Sequence, residues 1–492
     1  GEFEKMTELS QVIQIAARAG KVDLVEDYGI DAGLNDALDV TSRLAIATSI
    51  EAIKDAGLPL VRRYRTTTTG KQLGDGWALP DSVGRETGVI FASAFPGVDR
   101  LIEDVSKQVA SQYAAREGNK LNELIDAYAQ TLSQPEEKKR LLDTFAEHRE
   151  ELKEEAALYA FNRKFLFRVL SMGHTQVAQV IGARGPNTQI NAACASGAQG
   201  IAIACDWIRT GRCERVVVVS ADDVTHENNL PFIGTGFMAA GAATVEKDPA
   251  KAAVPFGATR NGMILGSGAS AFIVERDSVM EQRGMEPLVD ILEGHFANAA
   301  FHATRLESSF IREAFQSVVG KIATALNTTP AQLAHRTFFM SHQTYTPARG
   351  GSSQSEVDAL RSAFGDAAKN VLITNTKGYT GHPMGASLED VVAIKGLQRN
   401  QVPAIANLVE PDPIFADLLF CRGGSMDRDI GIRFAAGFGS QLALVVYKKR
   451  ATHEGRLIDA EKYQSWMHEV SGTENASYEV HKRTLRVAQE SG

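Results

Sequence analysis

The spacing of apolar and polar positions divides the chain into long helical stretches and shorter extended ones. Between residues 99 and 160, apolar side chains recur every three or four positions with charges between them, which predicts helix almost throughout. Pro135, preceded by Ser133 and Gln134, interrupts this pattern and predicts the start of a second helix. We expect a helical hairpin, laid on the body of the protein.

Two further helices are predicted after turns of small residues. One follows the segment around Cys194 and runs to about Thr210, and the other follows residues 376–387. The spacing Cys194-x-x-Gly197-Ala198 recurs as His382-x-x-Gly385-Ala386. The chain is therefore expected to contain one unit twice, in halves related by a pseudo-twofold axis that brings both helix starts together.

Three other stretches complete the pattern. The apolar run 338–340 predicts a strand that ends in the polar loop 341–347. Residues 185–191, which lead to Cys194, predict an extended segment in which polar and apolar residues alternate only weakly. After Lys449 the chain is polar, and although Tyr463, Trp466 and Met467 have helical spacing, the composition favours a linker over a folded unit.

Composition and charge narrow the class of protein. A chain of 492 residues can bury a large core, and its net charge of -8 argues against general nucleic-acid binding. No apolar run approaches the roughly 18 residues of a membrane span, and no signal peptide opens the chain. Four cysteines without metal-ligand spacing indicate reduced thiols, no metal site and a cytoplasmic enzyme. Gly1-Glu2-Phe3 is typical of a cloning scar.

Cys194 is the candidate nucleophile. At a helix start, its thiol would meet unpaired N–H groups and the positive end of the helix dipole, which lower the pKa toward a thiolate. The alternative is a small buried core residue. His342 and His382 also lie at the ends of predicted elements, and one cysteine with two histidines is an acyl-transfer constellation.

These motifs resemble those of the β-ketoacyl synthases, the decarboxylating condensing enzymes of fatty-acid and polyketide synthesis. The matching segments, in the family's order, are residues 193–196, 342–347, Lys377 with His382, and 437–440, and the resemblance covers about 37–447. It implies an α/β thiolase fold with two pseudo-twofold-related halves in a layered αβαβα arrangement and an extra helical insertion.

The resemblance also implies a division of the chain. Residues 1–36 would be an N-terminal segment, 37–290 the half with the nucleophile and the insertion at about 99–160, 291–449 the half with both histidines, and 450–492 a linker or tail. The family's Val/Ile-rich opening strand is not visible before Met6. Either the chain is cut from a longer polypeptide, such as a multidomain synthase, or this branch begins differently.

Roles for the catalytic residues follow from the resemblance. Cys194 would hold the acyl group, with the oxyanion bound by the backbone N–H groups of Cys194 and Phe438. His342 and His382 would donate hydrogen bonds to the enolate that forms when a malonyl thioester loses CO2. Lys377 would tune His382 and keep the site electropositive.

Substrate binding and partners follow in the same way. Thr344 and Thr346 would bind the pantetheine arm, and Phe438, between Gly437 and Gly439, would gate the acyl pocket or else be a packed core aromatic. No cofactor would be bound directly, because the substrates are carried on the phosphopantetheine of an acyl carrier protein. The resemblance also implies a homodimer.

Some positions depart from the family pattern. Ser267 stands where a glutamate is usual, Gln343 replaces a glycine, and the loop 348–353 is longer and lacks an aspartate. Two basic clusters, residues 62–65 with Lys71 and residues 163–164 with Arg168, are candidate docking sites for the carrier protein or solvated loops.

Two other functions remain as alternatives. The segment 381–387 is also similar to the thiolase motif Gly-His-Pro-x-Gly-Ala-Ser, and Cys421, followed by Arg422 and Gly423, fits the second cysteine of a thiolase. Lys377, however, has no thiolase role. A non-catalytic partner subunit of the chain-length-factor kind would lack Cys194.

Overall fold

Strands and helices alternate along most of the chain and build two sheets with helices on both faces. The computed structural model describes residues 7–160, 165–166, 170, 172–347, 351–450, 456–474 and 476–488. The tripeptide Gly1-Glu2-Phe3 and the basic cluster of Arg163, Lys164 and Arg168 lie outside the described residues.

The strands differ widely in length. They are β1 (Ala16–Ala17), β2 (Val61–Thr66), β3 (Gln72–Ala78), β4 (Thr87–Ala92), β5 (Asn187–Ile190), β6 (Arg215–Asp223), β7 (Leu265–Glu275), β8 (Val289–Asn298), β9 (Thr337–Met340), β10 (Leu372–Thr374), β11 (Gln401–Val402), β12 (Leu419–Phe420), β13 (Gly424–Ser425), β14 (Ile430–Gly437), β15 (Gln441–Lys449), β16 (Tyr478–His481) and β17 (Thr484–Val487).

The helices connect these strands. They are α1 (Leu24–Tyr28), α2 (Ala32–Ala37), α3 (Val40–Asp55), α4 (Asp81–Arg85), α5 (Val98–Thr131), α6 (Pro135–Ala157), α7 (Gly173–Ile181), α8 (Ser196–Arg209), α9 (Thr235–Ala239), α10 (Pro249–Ala252), α11 (Asp277–Gln282), α12 (Ser308–Ala325), α13 (Pro330–Ala334), α14 (Ser352–Phe364), α15 (Lys377–Thr380), α16 (Leu388–Arg399) and α17 (Ala460–Ser471). Short 3-10 helices span Leu9–Gln11, Gly365–Asn370 and Pro413–Phe415, and a π-helix spans Leu230–Gly234.

The two large sheets repeat one topology, which confirms the predicted doubling. The first has the order β1-β7-β6-β4-β5 and the second β12-β10-β9-β14-β15-β8. In the first, β5, β4 and β6 are parallel and β7 is antiparallel to β6. In the second, β10, β9 and β14 are parallel and β15 is antiparallel to β14. Cys194 follows β5 and His382 follows β10, so both lie beyond the carboxyl ends of equivalent strands.

Three apolar clusters separate the layers. Helices α3 and α7 pack on the outer face of the first sheet, and α12 and α14 pack on the outer face of the second. Helices α8 and α16 lie between the sheets with residues such as Ile201 and Leu397. Both faces of the parallel strands are therefore covered, which explains why β4 and β6 are nearly continuous apolar runs.

The insertion forms the predicted helical hairpin, α5 and α6. Its first turn is tied to the body, where Asp99 accepts a hydrogen bond from the Val40 N–H at 3.2 Å and its carbonyl accepts one from the Asn228 side chain at 3.2 Å. Farther along, Val105 and Val109 are 44% and 58% exposed. Among the described residues, the expected packing of the hairpin on the body is therefore seen at its first turn, whereas these two valines are exposed.

Residues 456–474 and 476–488 are folded, so the predicted linker is wrong for this part of the chain. Helix α17 and the hairpin β16–β17 form a small apolar cluster with Met280 and Met285 of the body. Met467 is fully buried, and the Tyr463 hydroxyl donates to the Gly57 carbonyl at 2.9 Å. A few apolar side chains at helical spacing are enough to fold this segment, because they pack against an apolar surface that the body of the protein provides. Across the described residues, no helix is long and apolar enough to cross a membrane.

We expect Met467→Ala to lower the free energy of unfolding by about 2–5 kcal/mol, because it leaves a cavity in this cluster. Urea denaturation measures the change. The control is Ile458→Ala in the same segment, whose side chain is 59% exposed and which should cost within about 0.5 kcal/mol. Equal, small effects of both substitutions would mean that the terminal segment does not contribute to the core.

Candidate active site

The nucleophile sits in a strained turn between β5 and α8. Ala193, directly before Cys194, has φ 49, a left-handed conformation that is uncommon for a residue with a Cβ. The Ser196 hydroxyl holds the turn by accepting from the Ala192 N–H at 2.9 Å and donating to the Ala193 carbonyl at 2.6 Å. Backbone strain of this kind clusters at functional sites.

The thiol at this turn is protonated. Burial raises the pKa of Cys194 to about 12, although the nearby charge of Lys377 opposes this shift. Removal from water disfavours the charged form of the thiol. The expected resting thiolate is therefore wrong, and any attack by Cys194 requires a nearby group that accepts its proton.

The two helix starts meet where the sequence repeats its glycines. The Gly197 N–H donates to the Gly385 carbonyl at 3.1 Å. A Cβ on Gly197 would lie 2.5 Å from the Cβ of Ser387, and one on Gly385 would lie 3.3 Å from the Cβ of Ser196. A Cβ on Gly437 would collide with the Ala192 carbonyl. Only glycine permits this approach, which brings the turn 437–440 against the nucleophile.

His342 and His382 form a buried pair. Their ring centroids are 5.7 Å apart with an interplanar angle of 80°. Among the described residues, neither ring nitrogen of His382 has a hydrogen-bond partner, and neither does Nδ1 of His342. Buried polar atoms are normally satisfied, so these nitrogens are free to bind a ligand.

Both imidazoles are neutral at physiological pH. Burial, reinforced by the charge of Lys377, lowers the pKa of His382 to about 3. The same two causes, in the same order, hold the pKa of His342 well below its usual value. Each neutral ring has one N–H donor and one acceptor nitrogen, so the pair can donate hydrogen bonds to an oxygen and also accept a proton.

A buried charge cluster lies behind the histidines. The Lys377 ammonium pairs with the Glu389 carboxylate, which also lies 3.4 Å from the Arg433 guanidinium. Arg433 also lies 3.5 Å from Asp390, which accepts a 2.6 Å hydrogen bond from the Tyr447 hydroxyl. Despite burial, the charges of Lys377 and Arg433 lower the pKa of Glu389 to about 2.

Most of this charge cluster lies outside the motifs that the sequence presents. Glu389 and Asp390 open the apolar helix α16, and Arg433 interrupts the apolar strand β14. Charged residues inside otherwise apolar elements indicate a buried ion-pair cluster, because such groups are buried only when they are paired.

Two further buried carboxyls connect the loops around the site. Asp222 accepts from the Ser93 hydroxyl and the Gly385 N–H, both at 2.7 Å, and burial raises its pKa to about 6. Glu356 accepts from the Ser341 hydroxyl at 2.6 Å, and burial raises its pKa to about 8. Asp222 thus joins the first half to the turn that carries His382.

The departures from the family pattern have different consequences. The Gln343 side chain accepts from the Phe256 N–H at 3.0 Å and donates to the Ser353 hydroxyl at 2.5 Å, so it is a buried connector. Ser267 is buried, and its hydroxyl has no partner among the described residues. Residues 348–350 of the longer loop lie outside the described residues.

The predicted substrate-binding residues lie around the same centre. Thr344 and Thr346 are half-buried on the loop after β9, on either side of Tyr345, whose hydroxyl donates to the Lys377 carbonyl at 3.0 Å. Phe438 is 40% exposed, with its ring 5.9 Å from that of Phe237. This exposure excludes the alternative that Phe438 is a packed core aromatic. Gly439, which follows it, has a φ of 78°, in the left-handed region.

Cys421 does not take part in this arrangement. It is buried in the apolar cluster between the sheets with Val402 and Met426, and its sulfur accepts from the Gly423 N–H at 3.3 Å. The second cysteine that a thiolase requires is thus absent from the described surroundings of Cys194 and the two histidines.

Comparisons with known proteins agree with this geometry. Residues 139–279 match the family model of the β-ketoacyl synthase N-terminal domain. The chain is 29% identical over 275 residues to 3-oxoacyl-[acyl-carrier-protein] synthase 2 of Vibrio harveyi, covering 55% of this chain and 63% of that protein. The chain thus spans slightly less than two thirds of this relative. The predicted resemblance to the β-ketoacyl synthases is confirmed.

Solved structures show the same fold. A β-ketoacyl synthase from Burkholderia phymatum STM815 has a TM-score of 0.64 at 20% identity, covering 89% of both chains. A type II polyketide ketosynthase, solved in complex with its acyl carrier protein, has a TM-score of 0.58 at 18% identity, covering 86% of this chain and 87% of the other. The predicted thiolase fold is confirmed.

We expect Glu389→Gln to lower the free energy of unfolding at pH 7 by about 3–5 kcal/mol, because it leaves the buried Lys377 ammonium without its carboxylate. Since the folded state lowers the pKa of Glu389 from 4.5 to about 2, its stabilisation is complete above pH 4.5 and is lost as the pH falls toward 2. The two proteins should therefore converge in stability over that range. Urea denaturation at several pH values measures this.

The matched control is Glu293→Gln. Glu293 pairs at 3.1 Å with Lys321, whose side chain is 56% exposed, and an exposed pair contributes only about 0–1 kcal/mol. If Glu389→Gln were as mild as this control, Lys377 would not depend on its carboxylate partner.

Proposed function

We propose that the protein is a β-ketoacyl-[acyl carrier protein] synthase, an acyltransferase that joins an acyl group on Cys194 to a malonyl thioester with loss of CO2. The observation that carries this proposal is the pair of buried, neutral imidazoles beside the nucleophile turn, in which both ring nitrogens of His382 and Nδ1 of His342 have no hydrogen-bond partner among the described residues. The N–H groups of such a pair can donate hydrogen bonds to an oxygen that becomes negatively charged during the reaction.

In the first half-reaction, the Cys194 sulfur attacks the carbonyl carbon of the acyl thioester. The backbone N–H groups of Cys194 and Phe438 bind the developing oxyanion. The thiol proton passes to a neutral imidazole and then to the departing carrier thiolate. The new bond joins Cys194 to the acyl carbon, and the bond to the carrier sulfur breaks.

In the second half-reaction, the malonyl thioester loses CO2 as the carbon–carbon bond to its carboxylate breaks. The electron pair passes into an enolate, whose oxygen accepts hydrogen bonds from His342 and His382. The enolate carbon attacks the acyl carbonyl on Cys194. A carbon–carbon bond forms, the bond from the acyl carbon to the Cys194 sulfur breaks, and the departing thiolate takes up a proton from solvent.

The buried ammonium of Lys377 helps to keep both imidazoles in the neutral form that this step requires. Lys377 opposes protonation of both histidines, so they remain neutral donors instead of forming ion pairs with the malonyl carboxylate that must leave. A carboxylate held tightly by an imidazolium would be stabilised in the ground state, which slows decarboxylation.

The substrates and partners complete the proposal. Thr344 and Thr346 bind the pantetheine arm of an acyl carrier protein, Phe438 gates the acyl pocket, and no cofactor is bound directly. The named function of the Vibrio harveyi relative and the carrier complex of the polyketide ketosynthase support this partner. Neighbouring domains of a larger synthase are further partners. Four free thiols support a cytoplasmic location.

The basic cluster at residues 62–65 is unsuited to carrier docking. It lies on β2, where the Arg63 side chain approaches Asp75 and donates to the Gln179 carbonyl near the end of α7. From there the chain passes along β5 before it reaches Cys194. The cluster therefore lies near the amino end of β5, whereas the nucleophile follows its carboxyl end.

We expect His342→Ala and His382→Ala each to reduce release of labelled CO2 from malonyl carrier protein by about 100-fold to 1,000-fold, because each removes one donor to the enolate oxygen. Both variants should still accept an acyl group on Cys194, which intact-mass spectrometry detects. Cys194→Ala should abolish condensation and leave CO2 release intact. Failure of Cys194→Ala to release CO2, with an intact fold, would contradict this division of roles.

The control for the thiol chemistry is Cys421→Ala. This cysteine lies in the apolar cluster between the sheets, so its loss should leave both condensation and CO2 release unchanged. A loss of activity in Cys421→Ala would favour a thiolase instead.

We also propose a homodimer in which β5 pairs with its copy across a twofold axis. On the side of β4, the Pro186 carbonyl accepts from the Val89 N–H and the Ile190 carbonyl accepts from the Ser93 N–H, directly after β4. Residues of a strand alternate in direction, so the Gln189 N–H points to the free edge of the sheet.

We expect Gln189→Pro to dissociate the dimer and abolish activity, because it removes an outward donor while leaving the bonds to β4. Gln189→Ala, which keeps the N–H, should remain dimeric and active. Light scattering and sedimentation measure both. A fully active wild-type monomer of 53.1 kDa would rule out the dimer.

A further inference from the structure

Asp222 is a fully buried carboxylate near the end of β6 that has no part in the proposed reaction steps. Its Oδ1 accepts from the Ser93 hydroxyl at 2.7 Å and from the Phe95 N–H at 2.9 Å. Its Oδ2 accepts from the Gly385 N–H at 2.7 Å. The Ala94 N–H lies between the two oxygens, 3.1 Å from one and 2.9 Å from the other. Four donors thus meet a group that has about four lone-pair sites.

One of these donors belongs to the turn that carries His382. Gly385 follows Met384, which has a φ of 50°, a left-handed conformation that is uncommon for a residue with a Cβ. Such a conformation persists only where the surrounding structure holds it. The peptide N–H directly after Met384 is the one that donates to Asp222. The carboxylate therefore holds the strained part of this turn directly.

A second path leads from Asp222 to the nucleophile turn. The Ala94 carbonyl accepts from the Asn191 side chain at 3.0 Å. Through its Oδ1, the same side chain accepts from the N–H of Ala193 at 2.9 Å. Ala193 is the strained residue directly before Cys194. Because Asp222 holds the N–H of Ala94 and Asn191 holds its carbonyl, the nucleophile turn is tied to the same carboxylate through one intervening residue and one side chain.

We infer that Asp222 is a positioning residue that fixes the nucleophile turn and the His382 turn relative to each other, so that the enolate forms within reach of the acyl carbon on Cys194. This inference rests on the proposed condensing function. The two turns come from different halves of the molecule, and the formation of the carbon–carbon bond is the step that needs both. A displacement of about 1 Å between reacting groups costs about 100-fold in rate.

Two other roles for this carboxylate disagree with its surroundings. Asp222 is unsuited as the base for the thiol, because its lone-pair sites are already occupied by four donors. It does not activate the thiol by its charge either. Burial raises the pKa of Cys194, and the negative charge of Asp222 adds to that rise. The carboxylate is therefore retained beside the thiol although it opposes formation of the thiolate, as expected for a group that positions the site.

The test uses the full chain, acylated on Cys194, with malonyl carrier protein labelled in its free carboxylate. The wild-type protein should release one CO2 for each β-ketoacyl product. In Asp222→Asn, an amide NH2 group faces backbone N–H donors, so the two turns lose their fixed placement. An enolate that does not reach the acyl carbon takes up a proton from solvent and leaves as the acetyl thioester. We therefore expect the ratio of CO2 to product to rise by about tenfold or more.

The ratio separates positioning from a merely structural role, because loss of folded protein lowers CO2 and product together and leaves their ratio unchanged. The matched control is Asp223→Asn. The Oδ1 of Asp223 accepts from the Thr225 N–H at 2.9 Å and from its hydroxyl at 2.7 Å. Since an asparagine keeps that oxygen, this variant should keep the ratio of the wild-type protein. An equal rise of the ratio in this control would overturn the inference.

A second variant, Asn191→Ala, breaks the path to the nucleophile turn and keeps the carboxylate. It should also raise the ratio, but less than Asp222→Asn, because the direct bond to Gly385 remains. Circular dichroism identifies folded variants, and Asn191→Ala decides the outcome if Asp222→Asn does not fold. An active wild-type protein whose folded variants all keep its ratio would overturn this inference alone. A wild-type protein that releases no CO2 would overturn the proposed function, and the inference with it.

Discussion

The close crossing of two helix starts is the constraint on which the rest of the structure depends. Gly197 and Gly385 lie where the halves touch, and the Gly197 N–H donates directly to the Gly385 carbonyl. Any Cβ at these positions would push the halves apart. Because the helices approach so closely, the thiol of one half and an imidazole of the other share one buried site, although they are 188 residues apart by their numbers, 382 minus 194.

Burial then sets the protonation states of that site. It raises the pKa of the Cys194 thiol and lowers those of both histidines. The resting site therefore holds a neutral thiol and neutral imidazoles beside a single buried ammonium that has a carboxylate partner. In the proposed reaction, this arrangement provides hydrogen-bond donors where negative charge develops.

The same layered packing explains both successes and failures of prediction. The hairpin 99–160 was predictable because its helical periodicity is long and local. The terminal segment was predicted as a linker because its few apolar residues, such as Met467, cannot form a core alone and fold only against Met280 and Met285. The helix dipole at Cys194 was recognised, but the desolvation that outweighs it depends on residues from both halves.

The sequence by itself determined the repeated unit, the order of the motifs and the identity of Cys194, His342, His382 and Lys377 as candidates, because these are encoded in local spacing and residue type. Only the tertiary structure decided how they are charged and what surrounds them. Glu389, Asp390 and Arg433 are distant in sequence from most of their partners, so their ion pairs are visible only once the second sheet and its helices are assembled. Desolvation and strand pairing are properties of the packed chain, so no local pattern records them.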